Sequence, residues 1–293
     1  MSKAGCPPVI GVIGGSGLYD IPGLQDVRHE AIASPFGKPS DELVFGTLDG
    51  QQMVFLPRHG RGHAHSPTSL NYRANIDAMK RAGVTEILSL SAVGSLREDL
   101  APGAFVIVDQ FIDRSFAREK SFFGEGCVAH VSMADPVCSQ LGDALEAAAR
   151  DAGIAATRGG TYIVMEGPQF STRAESNLYR SWGCDVIGMT NMPEAKLARE
   201  AEMCYATVAM VTDFDCWHET HDDVSVEAII KVLMGNADKG RNLVRAVAPH
   251  LSTRNETCAA GCQTCLDTAL ITAPDARDPA LLAKLDAVAG RVL

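Results

Sequence analysis

The chain has 293 residues, enough for one large domain or two small ones, and 46% of them are hydrophobic, enough for a packed core. Its formal net charge of −10 excludes the basic footprint that nucleic-acid or anionic-membrane binding requires, while leaving room for a small anion held by local donors. No run of about 18 uncharged apolar residues occurs, so no membrane-spanning helix is expected.

The opening MSKAGCPPVIGVIGG lacks the apolar core and small-residue cleavage site of a signal peptide. Nine cysteines, an odd number scattered through apolar segments, resemble reduced thiols rather than a disulfide framework. A cytoplasmic location is the expectation. Residues 8–15 read as a first strand ending in a glycine turn. Residues 42–57 read as a hairpin about Asp49-Gly50, a dipeptide that accepts the positive φ of a tight turn. In 71–83, Tyr72, Ile76 and Met79 recur at helical spacing and Gly83 supplies a stop. EILSLSAVGS follows as a strand running into a glycine loop, and 103–113 as another strand. Residues 138–153 make an amphipathic helix stopped at Gly153. Residues 160–168 make a strand stopped at Gly-Pro, and 193–203 a helix opened by Pro193. CYATVAMVTDFD is a strand, 225–251 carry a long apolar stripe, and PALLAKLDAVAGRVL closes the chain as a helix.

This alternation, with no linker or repeat, predicts a single α/β domain over 1–293, with a central twisted mixed β-sheet flanked by helices. Ligands of such sheets bind beyond the carboxyl ends of strands, so the informative residues stand where strands stop.

Five strand ends carry chemistry. GGSGLYD (14–20) has Asp20 where a dinucleotide fingerprint needs its third glycine. A small oxyanion held by backbone amides and Ser16 fits better, the alternative being a tight turn without ligand. PRHGRGHAHSP (57–67) concentrates Arg58, His59, Arg61, His63 and His65. No cysteine or carboxylate cluster completes a metal site there, which leaves anion binding or a solvated loop. Ser91, Ala92 and Gly94 form a second small-residue turn, or a close-packed bend. VIGMTNMPE sets Met189 and Thr190 at a strand end before a helix. AMVTDFDCWH ends an apolar run on Asp213 and Asp215. Buried carboxylates are costly unless neutralised or hydrogen-bonded, and a helix cap or solvated loop is the plainer reading of this pair.

These segments resemble the purine nucleoside phosphorylase group of trimeric enzymes. The matching stretches run in family order between residues 9 and 250: IGVIGGSGLYD, SPFGKPSD, PRHGRGHAHSPTSLNYRANIDAMKRAG, SAVGSLREDLAPG, VIVDQFIDRS, EGPQFSTRAES, WGCDVIGMTNMPEAKLAREAEMCYATVAMVTDFDCWH and VSVEAI. The resemblance implies phosphorolysis, in which orthophosphate attacks the ribosyl C1′ and expels a purine. It implies that Ser16, Arg58, His59, Ser91, Ala92 and Thr190 cradle the phosphate and that Met189 lies against the ribose. Phe170, Ser171 and Val226 would shape the base and 5′ side. It also implies a homotrimer, or a hexamer, with the site at a subunit interface and His130 of CVAHVSMADP closing a neighbour's 5′ end. Orthophosphate is then a co-substrate, and neither a metal nor an organic cofactor is needed.

A departing purine anion needs a proton or a hydrogen bond at N7, and a carboxyl with a raised pKa can supply it. Asp213 is the expected acid, with Asp215 supporting it and contacting the base. A 6-amino group is a donor and favours carboxylates, whereas a 6-oxo group would favour an amide NH₂. The acids therefore point to a 6-aminopurine, the alternative being another purine nucleoside such as guanosine. Beyond residue 251 the family pattern fades, and Cys258, Cys262 and Cys265 fall as C-x₃-C-x₂-C. That spacing suits an iron–sulfur cluster, buried thiols or a local disulfide.

Overall fold

The computed structural model describes residues 8–15, 17–18, 21–218, 226–252 and 258–293, with the backbone alone at 226–229 and 231. Its strands join in one eleven-stranded mixed sheet with helices packed on it. The buried strands include β1 (Ile10–Gly14), β5 (Glu86–Ser95) and β11 (Cys204–Asp213). Cover on both faces accounts for their largely apolar and small-residue sequence. The hairpin forms as expected from β3 (Leu43–Leu48) and β4 (Gln51–Pro57), with Asp49 and Gly50 at φ of 48° and 83°.

The expected strand over 103–113 is instead two strands. β6 (Phe105–Ile107) pairs with β11, and β7 (Gln110–Asp113) pairs with β9 (Thr161–Val164). Two further strands lay outside the sequence reading. β2 (Gln25–Glu30) is an exposed edge strand, and β8 (Ala156–Arg158) is a short partner of β6. Charged side chains on β2 (Arg28, His29, Glu30) discourage further strand pairing at that edge.

Helices α1 (Tyr72–Arg81) and α2 (Ser139–Asp151) stand where periodicity puts them. α3 (Arg173–Ser181) begins with a capping box from Thr172 to Glu175. α4 (Asn191–Glu200) is broken at Met192, and α5 (Val226–Ser252) is the long apolar-striped helix. The closing helix is two short ones, α6 (Pro279–Lys284) and α7 (Asp286–Ala289). Among the described residues no helix is long and apolar enough to cross a membrane.

One departure from a regular sheet creates the site. β5 gives a whole edge to β11, from Glu86 opposite Cys204 to Gly94 opposite Asp213. Its other edge is divided. β1 pairs in parallel as far as Ser89, and β10 (Val186–Gly188) pairs antiparallel with Gly94 and Ser95. Residues 90–93 have no strand on that edge. β1 and its parallel neighbour β4 end at this gap from one side, and β10 ends at it from the other.

Candidate active site

The gap in β5 is one wall of a cavity of about 310 Å³. β1 and β4 deliver Gly15 and Arg58 to it, β10 delivers Met189 and Thr190, and β11 delivers Thr212 and Asp213. Leu233 and Ala237 of α5 cover it. The rule that ligands meet strand carboxyl ends thus holds for four strands at once.

One end is built for an anion. The Ser91 and Thr190 hydroxyls lie 3.2 Å apart, and Ser91 donates to Asn191 Oδ1 at 2.7 Å. Ala92 is exposed to the cavity between them. His59 Nδ1 stands 2.9 Å from the His65 carbonyl, which can only accept. The Nδ1 proton is thereby assigned, and the neutral ring keeps Nε2 as an acceptor. Burial, with help from the Arg58 charge, pushes His59 down to about 4, so the ring is neutral at pH 7. His63, also on the lining, stacks on His59 with ring centroids 4.2 Å apart.

Arg58 turns inward at the end of β4 and is only 2% exposed. Its Nε donates to Glu194 at 2.9 Å, and one Nη donates to Glu194, Ser89 and Ile13. The other Nη donates to the Leu90 carbonyl at 3.0 Å. Burial opposes the guanidinium charge, but Glu194 holds it protonated. Two hydrogens on that second Nη and one acceptor leave one N–H for a ligand. Glu194 also accepts from Ser89 and Tyr205, so Arg58 is held in a buried polar network.

The other end is acidic. Asp213 Oδ1 accepts the Asp215 backbone N–H at 2.8 Å, and Oδ2 accepts the Thr212 hydroxyl at 2.7 Å. A Cβ at Gly94 would lie 3.0 Å from Asp213 Oδ1, so glycine there lets the carboxylate approach β5. Asp215, at φ 50°, is 7% exposed, and among the described residues its buried Oδ2 has no hydrogen-bond partner. Burial raises both carboxyls above their ordinary range, and the Asp213 charge raises Asp215 further. The pair does not lie in a solvated loop, although Asp213 does accept the backbone N–H of the first residue of a short 3-10 turn, Asp215–Trp217.

Met165 and Ile187 supply apolar lining, and Phe170, half exposed, stands on it as well. The loop that carries Phe170 is anchored by Glu166, which accepts from Thr68, from the Phe116 and Ala117 amides and from Arg118. Burial works against its charge, yet these bonds hold the Glu166 carboxyl down to about 2.

Nine of the expected residues therefore meet in one cavity: Arg58, His59, Ser91, Ala92, Phe170, Met189, Thr190, Asp213 and Asp215. Ser171 is beside it, donating to Met165 Sδ at 3.3 Å. Ser16 lies outside the described residues, although Gly15 and Leu18 on either side line the cavity. Val226 is the first residue of α5, and its side chain also lies outside them. His130 is exposed and does not line this chain's own cavity; its backbone N–H donates to the Ala269 carbonyl. Sequence reasoning passed over Glu194, Asn191 and Thr212. The available signals were an acid and an amide in the first turn of a buried helix, and a polar residue one place before the acids.

The sequence model of the phosphorylase superfamily matches residues 9–249. A protein of Rhodospirillum rubrum named S-methyl-5'-thioadenosine phosphorylase is 66% identical over the whole of both chains. One of the same name from Cereibacter sphaeroides is 64% identical, covering 97% of this chain and 98% of its own. The crystal structure of a methylthioadenosine phosphorylase from an antarctic soil metagenomic library superposes with a TM-score of 0.91 at 47% identity, covering 96% of this chain and 99% of that one. The methylthioadenosine phosphorylase from Schistosoma mansoni in complex with adenine follows at a TM-score of 0.81 and 36% identity, covering 87% and 95%. By sequence and by fold, this chain belongs to the phosphorylase superfamily.

Proposed function

We propose that the chain cleaves S-methyl-5'-thioadenosine with orthophosphate, giving adenine and 5-methylthioribose 1-phosphate. A phosphate oxygen attacks C1′ and the C1′–N9 bond breaks. Its electron pair passes to the purine, and Asp213 gives a proton to N7. Asp215 supports Asp213 and accepts from the 6-amino group. The observation that carries the reading is the pair of buried carboxyls, both raised in pKa, across one cavity from the Ser91 and Thr190 hydroxyls. Shared burial of donors and reactants turns a two-body encounter into an oriented one.

In this reading Ser16, Arg58, His59, Ser91, Ala92 and Thr190 hold the phosphate, and neutral His59 accepts a hydrogen bond from its protonated oxygen. Met189 lies against the ribose, and Phe170, Ser171 and Val226 border the base and 5′ group. The reaction calls for no catalytic metal or organic cofactor. The methionine-derived thioether substrate places it among cytoplasmic salvage reactions.

The chain acts as a homotrimer in this reading, with His130 reaching the 5′ end of a neighbour's site. Exposed Phe116, Val128 and Ile271 supply apolar surface for association. Incubation of the purified protein with methylthioadenosine, with and without phosphate, tests the reaction. Adenine released only with phosphate is expected. Release in water alone would make the protein a nucleosidase, and faster turnover of inosine or guanosine would reverse the assignment of the acids.

A further inference from the structure

The C-x₃-C-x₂-C motif does not act as the unit its spacing implies. Cys265 turns away, its thiol donating to the Arg199 carbonyl at 2.9 Å. Cys258 and Cys262 instead meet two cysteines from distant parts of the chain. One is Cys138, just before α2, and the other is Cys204, the first residue of β11. The four Sγ atoms all lie within 4.8 Å of one another, and each residue is at most 4% exposed.

We propose that Cys138, Cys204, Cys258 and Cys262 form a closed four-thiolate site for one structural zinc ion. Geometry supports a single ion. Zinc–sulfur bonds of about 2.3 Å in a tetrahedron separate neighbouring sulfurs by about 3.8 Å. Cys138 Sγ and Cys258 Sγ are 3.5 Å apart, near that edge and far beyond the roughly 2.05 Å of a disulfide. An iron–sulfur cluster would interpose its own sulfides and spread the thiolates wider than one ion does. Four thiolates without a nitrogen or oxygen ligand fit a tetrahedral borderline-soft ion, and four protein ligands leave no open position for chemistry.

The surroundings favour thiolates. The Arg199 guanidinium stands 3.5 Å from Cys262 Sγ and offsets the negative charge of a dication with four thiolates. Cys138 also stands at the N-terminus of a 13-residue helix, whose partial positive charge acts in the same direction. Gly261, at φ 68°, turns the chain between Cys258 and Cys262 so that both sulfurs reach one point.

The ion would tie the C-terminal segment to α2 and β11. Cys204 and Asp213 are at opposite ends of β11, nine residue steps or about 30 Å apart by strand rise. The site is thus structural and takes no part in the reaction proposed above.

Zinc content decides it. Tag-free protein, grown with zinc and purified in reducing buffer with a weak chelator, is measured by elemental analysis and native mass spectrometry. About one zinc per chain is expected, and cobalt exchanged into it should give thiolate-to-cobalt charge-transfer absorption that zinc abolishes. Cys265→Ser should keep the ion. Cys262→Ser should lose it and lower the melting temperature; the wild-type count stands even if that variant does not fold. A metal-free wild-type chain overturns the proposal, whether its four thiols titrate freely or its mass is four hydrogens low from two disulfides. Acid-labile sulfide would overturn it as well.

Discussion

Asp213 accepts the backbone N–H of Asp215 at 2.8 Å, which fixes the two carboxyls relative to each other at the end of β11. That bond and the one from Thr212 favour the charged form, yet burial outweighs both and raises the group. A carboxyl so placed can carry a proton at a pH where an exposed aspartate cannot. Asp213→Asn keeps the size and loses the acid. Its kcat/KM for methylthioadenosine should fall by about 10²–10⁴-fold, the usual worth of general acid catalysis, with little change in melting temperature. Turnover near the parent's would remove Asp213 from the chemistry.

Thr212 tunes that acid. Its hydroxyl donates to Asp213 Oδ2 at 2.7 Å and so stabilises the carboxylate. Thr212→Val removes a bond to the charged form, and the Asp213 pKa rises further. The protonated acid then persists to higher pH, so the limb on which kcat declines with rising pH should move to higher pH. A limb that stays put, or moves to lower pH, contradicts the role.

The pairing of Arg58 with Glu194 gives a separate test of the phosphate end. Both side chains are almost fully buried, at 2% and 3% exposure. Glu194→Gln leaves the guanidinium charge uncompensated, at a cost of about 3–5 kcal/mol. If Arg58 faces phosphate, the bound anion replaces the missing charge. Phosphate should then raise the melting temperature of the variant more than that of the parent. Equal shifts would show that Arg58 does not sense the anion.

Strand ends were the readable part of this molecule. β1, β5 and β11 are rich in apolar and small residues because their faces are covered, and the cavity's polar groups stand mostly at or near the ends of β4, β5, β10 and β11. β2 could not be read this way: QDVRHE is exposed along its whole length, so no pattern marks it. The break between β6 and β7 falls at the polar pair Asp109-Gln110, a weak local signal inside an otherwise apolar run, and what divides the run is the separate partners, β11 and β9. Glu194 matters because Arg58 stands 136 residues away, a relationship no local pattern carries. The cysteine spacing misled for the same reason. Cys138 and Cys204, not Cys265, complete the group around Cys258 and Cys262.

Glu200 offers a stability test remote from the site. Its carboxylate accepts from the Ser121 hydroxyl and the Phe122 amide, both at 2.7 Å. Those bonds favour the charged form, but burial is the larger influence and pushes Glu200 up to about 7. The unfolded chain ionises this group near pH 4.5, so the folded state holds the extra proton between the two values. Its contribution to stability is therefore greatest below about pH 4.5 and is lost as pH rises through about 7. Glu200→Gln cannot ionise, keeps one acceptor for the Phe122 amide and can donate to Ser121. The variant should gain on the parent progressively from pH 4.5 to 7, reaching about 3 kcal/mol at pH 8. Melting curves of both proteins across that range read the difference, and a constant offset with pH would show that Glu200 does not titrate there.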